Sequence, residues 1–199
     1  MLDKDIPFEI HITTNSLTIS RQNDFVDLCL MNDAKPLMIE LSKGKFIKQP
    51  MFSKVVYSNS FDKILLVATE LSKSFTSKKF STERLKIEIP AEYSNLFETF
   101  STSFDKYFEW HGKIDFVQIE NLNRLCEKHK VHLSLNSLKN ETNIRFITLR
   151  EFGTKFKFEM RIKELTKDLK SGNWTVVKQQ AEYCIYDNNN FLDTGWLPQ

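Results

Sequence analysis

The chain is poor both in residues that break regular structure and in residues that staple it. Five glycines and five prolines among 199 residues leave little material for irregular segments, so regular elements joined by short connections are expected. Three cysteines do not make a disulfide framework in a chain of this length, and no Cys/His spacing matches a zinc site. Cys29 and Cys126 each fall in an apolar helical stretch and read as small core residues. There is no large excess of either charge. A formal net charge of +2 is too small for a protein that grips nucleic acid by neutralising many phosphates, so any anion site must be local. No stretch approaches the length of a membrane span, and the start of the chain lacks the basic and apolar regions of a secretory signal. A cytoplasmic protein with no membrane and no disulfide-linked partner is expected. A phosphate-cradling glycine loop, an activated Ser or Cys and a dinucleotide fingerprint are missing too; neither a cofactor nor a metal is called for.

What is present is a core. Hydrophobic residues make up 41% of the chain and include 17 Phe, while a charged fraction of 27% excludes a disordered or fibrous chain. The chain also repeats itself. Phe8-Glu9-Ile10-His11 matches Phe108-Glu109-Trp110-His111. Phe25 to Cys29 matches Leu122 to Cys126, and Glu70-Leu71-Ser72-Lys73 matches Glu164-Leu165-Thr166-Lys167. Phe80, Arg84 and Glu88 correspond to Trp174, Lys178 and Glu182. The matches keep one order at a slowly shrinking offset, as loops shortened between duplicated elements would give.

Periodicity assigns both halves the same string of elements. Strands are predicted over 7–14, 36–42, 50–57 and 82–89, with helices over 20–32 and 61–75. The second half has strands over 107–114, 131–136, 144–151 and 174–186, with helices over 118–129 and 158–171. The implied fold class is α+β, an internal duplication of a ferredoxin-like β-α-β-β-α-β unit with two antiparallel sheets whose polar faces stay open. Residues 1–90 form the first half, 91–106 a connector, and 107–199 the second half with a loop-like tail carrying Trp196.

Strand alternation sorts the side chains. Phe8, Ile10 and Ile12 face the helices; Glu9, His11 and Thr13 face the other way, beside Arg84, Lys86 and Glu88 of the closing strand. The second half sets Glu109, His111 and Lys113 beside Lys178, Gln180 and Glu182. The middle strands add Glu40 and Lys54 to one face and His132, Ser134, Asn136, Thr148 and Arg150 to the other. If the two faces meet, these groups line a shared groove. If they do not, each face is a solvated surface of paired charges.

Two histidines on related strands suit acid–base chemistry at a phosphate ester. Neutral imidazole accepts a proton from the attacking hydroxyl and imidazolium donates one to the leaving oxygen; an ordinary pKa of about 6.5 allows both. His11 and His111 are the candidate catalytic pair. Thr13, Arg84, Lys113, Arg150 and Lys178 form the candidate anion clamp, Glu9 and Glu109 orient the imidazoles, and Glu88, Glu182, His132 and Ser134 complete the substrate-binding set. This arrangement resembles the two-histidine (2H) phosphoesterases, in which two related halves each offer a His-x-Thr/Ser motif to a cleft. His11-Ile12-Thr13 looks like one motif; His132-Leu133-Ser134 matches the other as text but falls on a different strand of the repeat, and the symmetry-related position reads His111-Gly112-Lys113. The resemblance implies a metal-independent phosphodiesterase acting on a nucleotide or an RNA-end phosphate. The triphosphate tunnel enzymes are a second comparison, but their Glu-x-Glu-x-Lys strand is replaced here by Glu-x-His-x-Thr and Glu-x-His-x-Lys. The alternative is a binding module for a nucleotide, an RNA or a protein, without turnover.

Overall fold

A computed structural model gives the fold and describes residues 2–98, 106–115, 119–139, 141 and 143–195. Residues 99–105 of the expected connector, residue 118 of the expected helix and Trp196 of the tail lie outside the described residues. The first half runs β1 (Ile6–Thr14), α1 (Gln22–Met31), β2 (Lys35–Leu41), β3 (Lys48–Ser58), α2 (Phe61–Ser77) and β4 (Thr82–Pro90). The second runs β5 (Tyr107–Asp115), α3 (Ile119–His129), β6 (His132–Asn136), β7 (Ile144–Glu151), α4 (Lys155–Ser171) and β8 (Thr175–Asp187).

The expectation of two open ferredoxin-like sheets is overturned. All eight strands form one closed antiparallel barrel in the order β1-β3-β2-β6-β7-β5-β8-β4. The physical reason lies at the edges. An open sheet leaves two rows of unpaired N–H and C=O groups. Here β2 pairs with β6 through Ile39 to Leu41, and β4 pairs with β8 through Lys86 to Pro90, so each half covers the other's edges. The faces expected to lie open therefore line the inside of the barrel.

The hydrophobic core sits outside the barrel wall, under the helices. Phe8, Ile10 and Ile12 of β1 are fully buried there, and Phe75 packs edge-on against Phe25 and Phe52. In the second half Phe108 stacks on Phe158 at 5.1 Å between ring centres. Gly112 is the residue that fits beside Trp110, because any Cβ there would run into the indole ring. No helix among the described residues is long and apolar enough to cross a membrane. Cys29, Cys126 and Cys184 are buried free thiols.

Local signals fix the helix ends. The Ser60 hydroxyl accepts from the Lys63 N–H at the start of α2, and the Thr154 hydroxyl accepts from the Lys157 N–H at the start of α4, satisfying N–H groups that the helix itself cannot pair. All four helices leave through a residue of positive φ: Asp33, Lys79, Lys130 and Asn173. The next residue then donates its N–H back over the turn, from Ala34 to Cys29, Phe80 to Phe75, Val131 to Cys126 and Trp174 to Leu169. This is the hydrogen bond of a Schellman motif, built four times without glycine at the left-handed position.

The registers give the barrel two unlike ends. Thr13, Arg84, Gln49 and Arg150 lie toward one end, while Glu9, Ser53 and Gln180 lie toward the other. The chain after β8 folds across the first end as a short turn, Asn190–Asp193. It is held there by the Gln49 side-chain amide donating to the Leu192 carbonyl at 3.3 Å, by the Lys45 N–H donating to the Thr194 carbonyl at 3.0 Å, and by Phe46 against Phe191. That end is the floor of a cavity of about 240 Å³, and the opposite end is its mouth.

Candidate functional site

The floor is a closed set of ion pairs. Arg84 Nε donates to Asp187 at 2.9 Å, its Nη1 to Asp193 at 3.1 Å and its Nη2 to the Tyr107 hydroxyl at 3.2 Å. Arg150 Nε donates to Glu109 at 2.7 Å, its Nη1 lies 2.8 Å from Asp193, and its guanidinium lies over the Tyr107 ring. Asp193 thus joins both arginines from the tail. Lys86 Nζ reaches Glu109 at 2.8 Å and Glu88 at 2.9 Å. These groups are all buried. Burial disfavours the charge on Lys86, Arg84 and Arg150, yet the adjacent carboxylates outweigh it and hold all three cations firmly protonated. Arg150 and Lys86 likewise keep Glu109 well below the ordinary carboxylate range against its burial. His132, also lining the cavity, is pushed down to about 4 by burial and is neutral at physiological pH.

Toward the mouth the pairing loosens. His11 Nε2 lies 2.9 Å from Glu88 and 3.7 Å from Glu9. The Ser53 hydroxyl donates to Glu9 at 2.6 Å. The Gln180 side-chain amide donates to Glu182 at 2.7 Å and to Glu9 at 3.3 Å, bridging the two carboxyls. Burial alone raises Glu9, but His11, the Ser53 hydroxyl and a hydrogen bond with Glu182 bring it down to about 2. Glu182 moves up, first through burial and then through the charge of Glu88. Of these two linked carboxyls, Glu182 therefore holds a proton more tightly. His111 lies 3.4 Å from Glu109 and 3.3 Å from Glu182, and its Nδ1 is 3.1 Å from the Thr148 hydroxyl. Burial opposes its charge, but Glu109 and Glu182 raise it to about 10. His111 is an imidazolium near neutrality.

The cavity is two-sided. β5, β8, β4 and β1 supply the polar wall just described. Facing it, Leu37, Ile39, Met51 and Phe146 from β2, β3 and β7 form an apolar patch, all four only half buried, beside the polar His132, Ser134 and Asn136 of β6.

Most residues singled out from the sequence meet in this cavity: Glu9, His11, Thr13, Arg84 and Glu88 from the first half, with Glu109, His111, His132, Ser134, Arg150 and Glu182 from the second. Lys113 and Lys178 do not line it. Lys113 pairs with Glu141 at 3.1 Å, and Lys178 lies opposite Lys113 and is exposed. Lys54 points to the helix side, donating to the Asn32 carbonyl at 2.6 Å. Glu40 does not line the cavity, because β2 turns its Leu37, Ile39 and Leu41 row inward. Sequence reasoning missed Tyr107, Asp187 and Asp193 and did not single out Lys86. Alternation alone placed Lys86 beside Arg84; no comparable signal marked Asp193.

Glu88, Glu109 and His111 bring potential metal-ligand atoms within 4.8 Å of one another. The Lys86 ammonium already donates to Glu109 and lies 2.9 Å from Glu88, so a protein cation holds that place. A scan against protein-family models finds no match to the chain, and a search of curated proteins finds no relative.

Proposed function

We propose that the barrel is a receptor for one small amphipathic molecule, which enters at the mouth and stops above the ion-paired floor. The observation that carries this is the two-sided cavity, with a half-buried apolar patch of Leu37, Ile39, Met51 and Phe146 facing a wall of carboxyls and imidazoles. Ligand sites are commonly concave and mostly apolar, with a few polar groups that set orientation, and barrel mouths are among their usual places. A volume of about 240 Å³ falls below the roughly 300–1,000 Å³ of drug-sized pockets, which limits the ligand to a single ring or a short chain.

Turnover of a phosphate ester by a histidine pair draws less support. A phosphate needs bare cations, and Arg84, Lys86 and Arg150 each already face carboxylates. His111, held protonated up to about 10, makes a poor base and a weak acid near neutrality. The test is displacement of an apolar fluorescent probe, read together with thermal shifts across a panel of single-ring and short-chain compounds. The parent protein is expected to bind the probe and at least one compound. Ile39→Glu, which sets a charge on the apolar patch, is expected to abolish both signals while leaving the circular dichroism spectrum unchanged. A parent that binds neither probe nor compound sinks the proposal.

A further inference from the structure

Charge is unevenly distributed inside the barrel. Four cations, Arg84, Lys86, Arg150 and the protonated His111, face six carboxyls: Glu88, Glu109, Asp187 and Asp193 around the floor, with Glu9 and Glu182 nearer the mouth, where His111 lies 3.3 Å from Glu182. Glu9 and Glu182, nearer the mouth, have no arginine or lysine within ion-pair distance among the described residues. The cavity's remaining lysines, Lys35 and Lys139, are exposed at its rim, where water solvates them. Besides their own hydrogen bond, Glu9 and Glu182 are bridged by the Gln180 amide, a neutral donor on an exposed side chain, reaching the two carboxyls at 3.3 and 2.7 Å. Its nitrogen marks a point where an N–H donor meets both acids at once.

A second observation comes from the histidine beside them. His11 is 7% exposed and lines the cavity, and its Nδ1 has no hydrogen-bond partner. With a ring proton on Nε2, the nitrogen 2.9 Å from Glu88, the Nδ1 lone pair of a neutral imidazole is left free to accept. A buried acceptor left without a donor is unfavourable, and a ligand N–H would satisfy it. Glu9, Glu182 and His11 all line this cavity and offer acceptors of the kind that the three N–H groups of a primary ammonium require.

We propose that the mouth of the barrel recognises a primary amine, whose ammonium takes the place of the Gln180 amide between Glu9 and Glu182, while its apolar part lies on the Leu37, Ile39 and Met51 patch. This rests on the receptor reading and adds the head-group chemistry to it. An ammonium donates full charge to both acids, replacing a neutral amide. The raised affinity of Glu182 for a proton fits the same crowding of acids.

The experiment is calorimetric titration of the full chain with four molecules that share one ring and one spacer: phenethylamine, phenethyl alcohol, hydrocinnamate and phenethyltrimethylammonium. Phenethylamine is expected to bind about tenfold or more tightly than the alcohol, as a charged hydrogen bond worth about 1.5–3 kcal/mol would give, and hydrocinnamate the most weakly. The quaternary ion, which has no N–H, is expected to bind no better than the alcohol. Glu9→Gln combined with Glu182→Gln is expected to erase the preference for the amine while binding of the alcohol persists. Gln180→Ala, which clears the ammonium's place, is expected to tighten amine binding severalfold; an unchanged or weaker affinity counts against the proposal. Alcohol and amine binding equally, or a preference that survives in the double variant, overturns the amine assignment and leaves the receptor reading standing. No binding of any of the four overturns both.

Discussion

The floor and the mouth of the barrel use the same residue types to opposite ends. At the floor, Arg84 and Arg150 meet Asp187, Asp193 and Glu109 in geometry that leaves little for a ligand to add. At the mouth, Glu9 and Glu182 share one amide and one hydroxyl donor between them and the nearby imidazoles. Buried charges that neutralise one another hold a structure in register, and removing one partner strands the other. Charges left without a fixed partner beside an opening are where recognition is to be sought. The comparison warns against reading function from residue type alone, since the arginines that look most like an anion clamp are the most completely engaged.

Replacing one floor cation breaks the comparison most directly. Arg150→Met leaves Glu109 and Asp193 without it in a buried setting, and should lower stability by about 3–5 kcal/mol in urea unfolding. A loss under 1 kcal/mol would mean that the floor is no more essential than the mouth. The two cavity histidines should then separate by pH. His132 resists protonation down to about 4, whereas the unfolded chain takes up that proton near 6.5. Its contribution is present above about pH 6.5 and lost as pH falls toward 4, and His132→Asn should flatten that acid limb. His111 has the opposite sign. Its folded value is raised to about 10, so its contribution is complete below about 6.5 and is lost as pH rises toward 10; His111→Asn should flatten the alkaline limb in thermal melts at stepped pH. The Glu9→Gln change at the mouth forfeits the partners that bring its carboxyl down to about 2, yet should cost less than the floor change, about 1–2 kcal/mol. A larger loss would return Glu9 to the structural set. Smallest of all, Lys79→Gly relieves a left-handed backbone (φ 65) far from either end, and should raise stability by about 0.5–1 kcal/mol.

Much of the interior was legible because strands alternate. The rows Glu9-His11-Thr13 and Glu109-His111 point inward, and Glu9 stands opposite Glu88 and Glu109 opposite Glu182, as period two requires. Closure was not legible, because nothing local in β2 or β4 says which strand will pair with it. β2 also misled in its own right. It is apolar on the inward row, so the rule that sends polar residues to the open face assigned Glu40 to the wrong side. Asp187 was lost to a bulge: the pairing of β4 with β8 shifts between Ile87 and Glu88, so that both Cys184 and Asp187 come to lie opposite inward residues. Simple alternation turns Asp187 outward. Asp193 follows the last strand, and its partner Arg84 lies 109 residues earlier, a separation at which no periodic signal survives.

The tail across the floor has a consequence for how the protein is made. Asp193 follows every strand of the barrel in the chain, so on the ribosome Arg84 and Arg150 are synthesised long before the carboxylate that joins them. The β4–β8 seam and the Asp193 contacts both wait for the end of β8 to leave the exit tunnel. β2 gains its partner once β6 emerges, but until β8 follows the first half carries β4 as a bare edge and the arginine of its floor lacks its acids, a state open to mispairing with another nascent chain. Closing the ring and neutralising its floor are thus one late event, and a nascent chain halted before Asp193 has emerged would be the form most dependent on a chaperone.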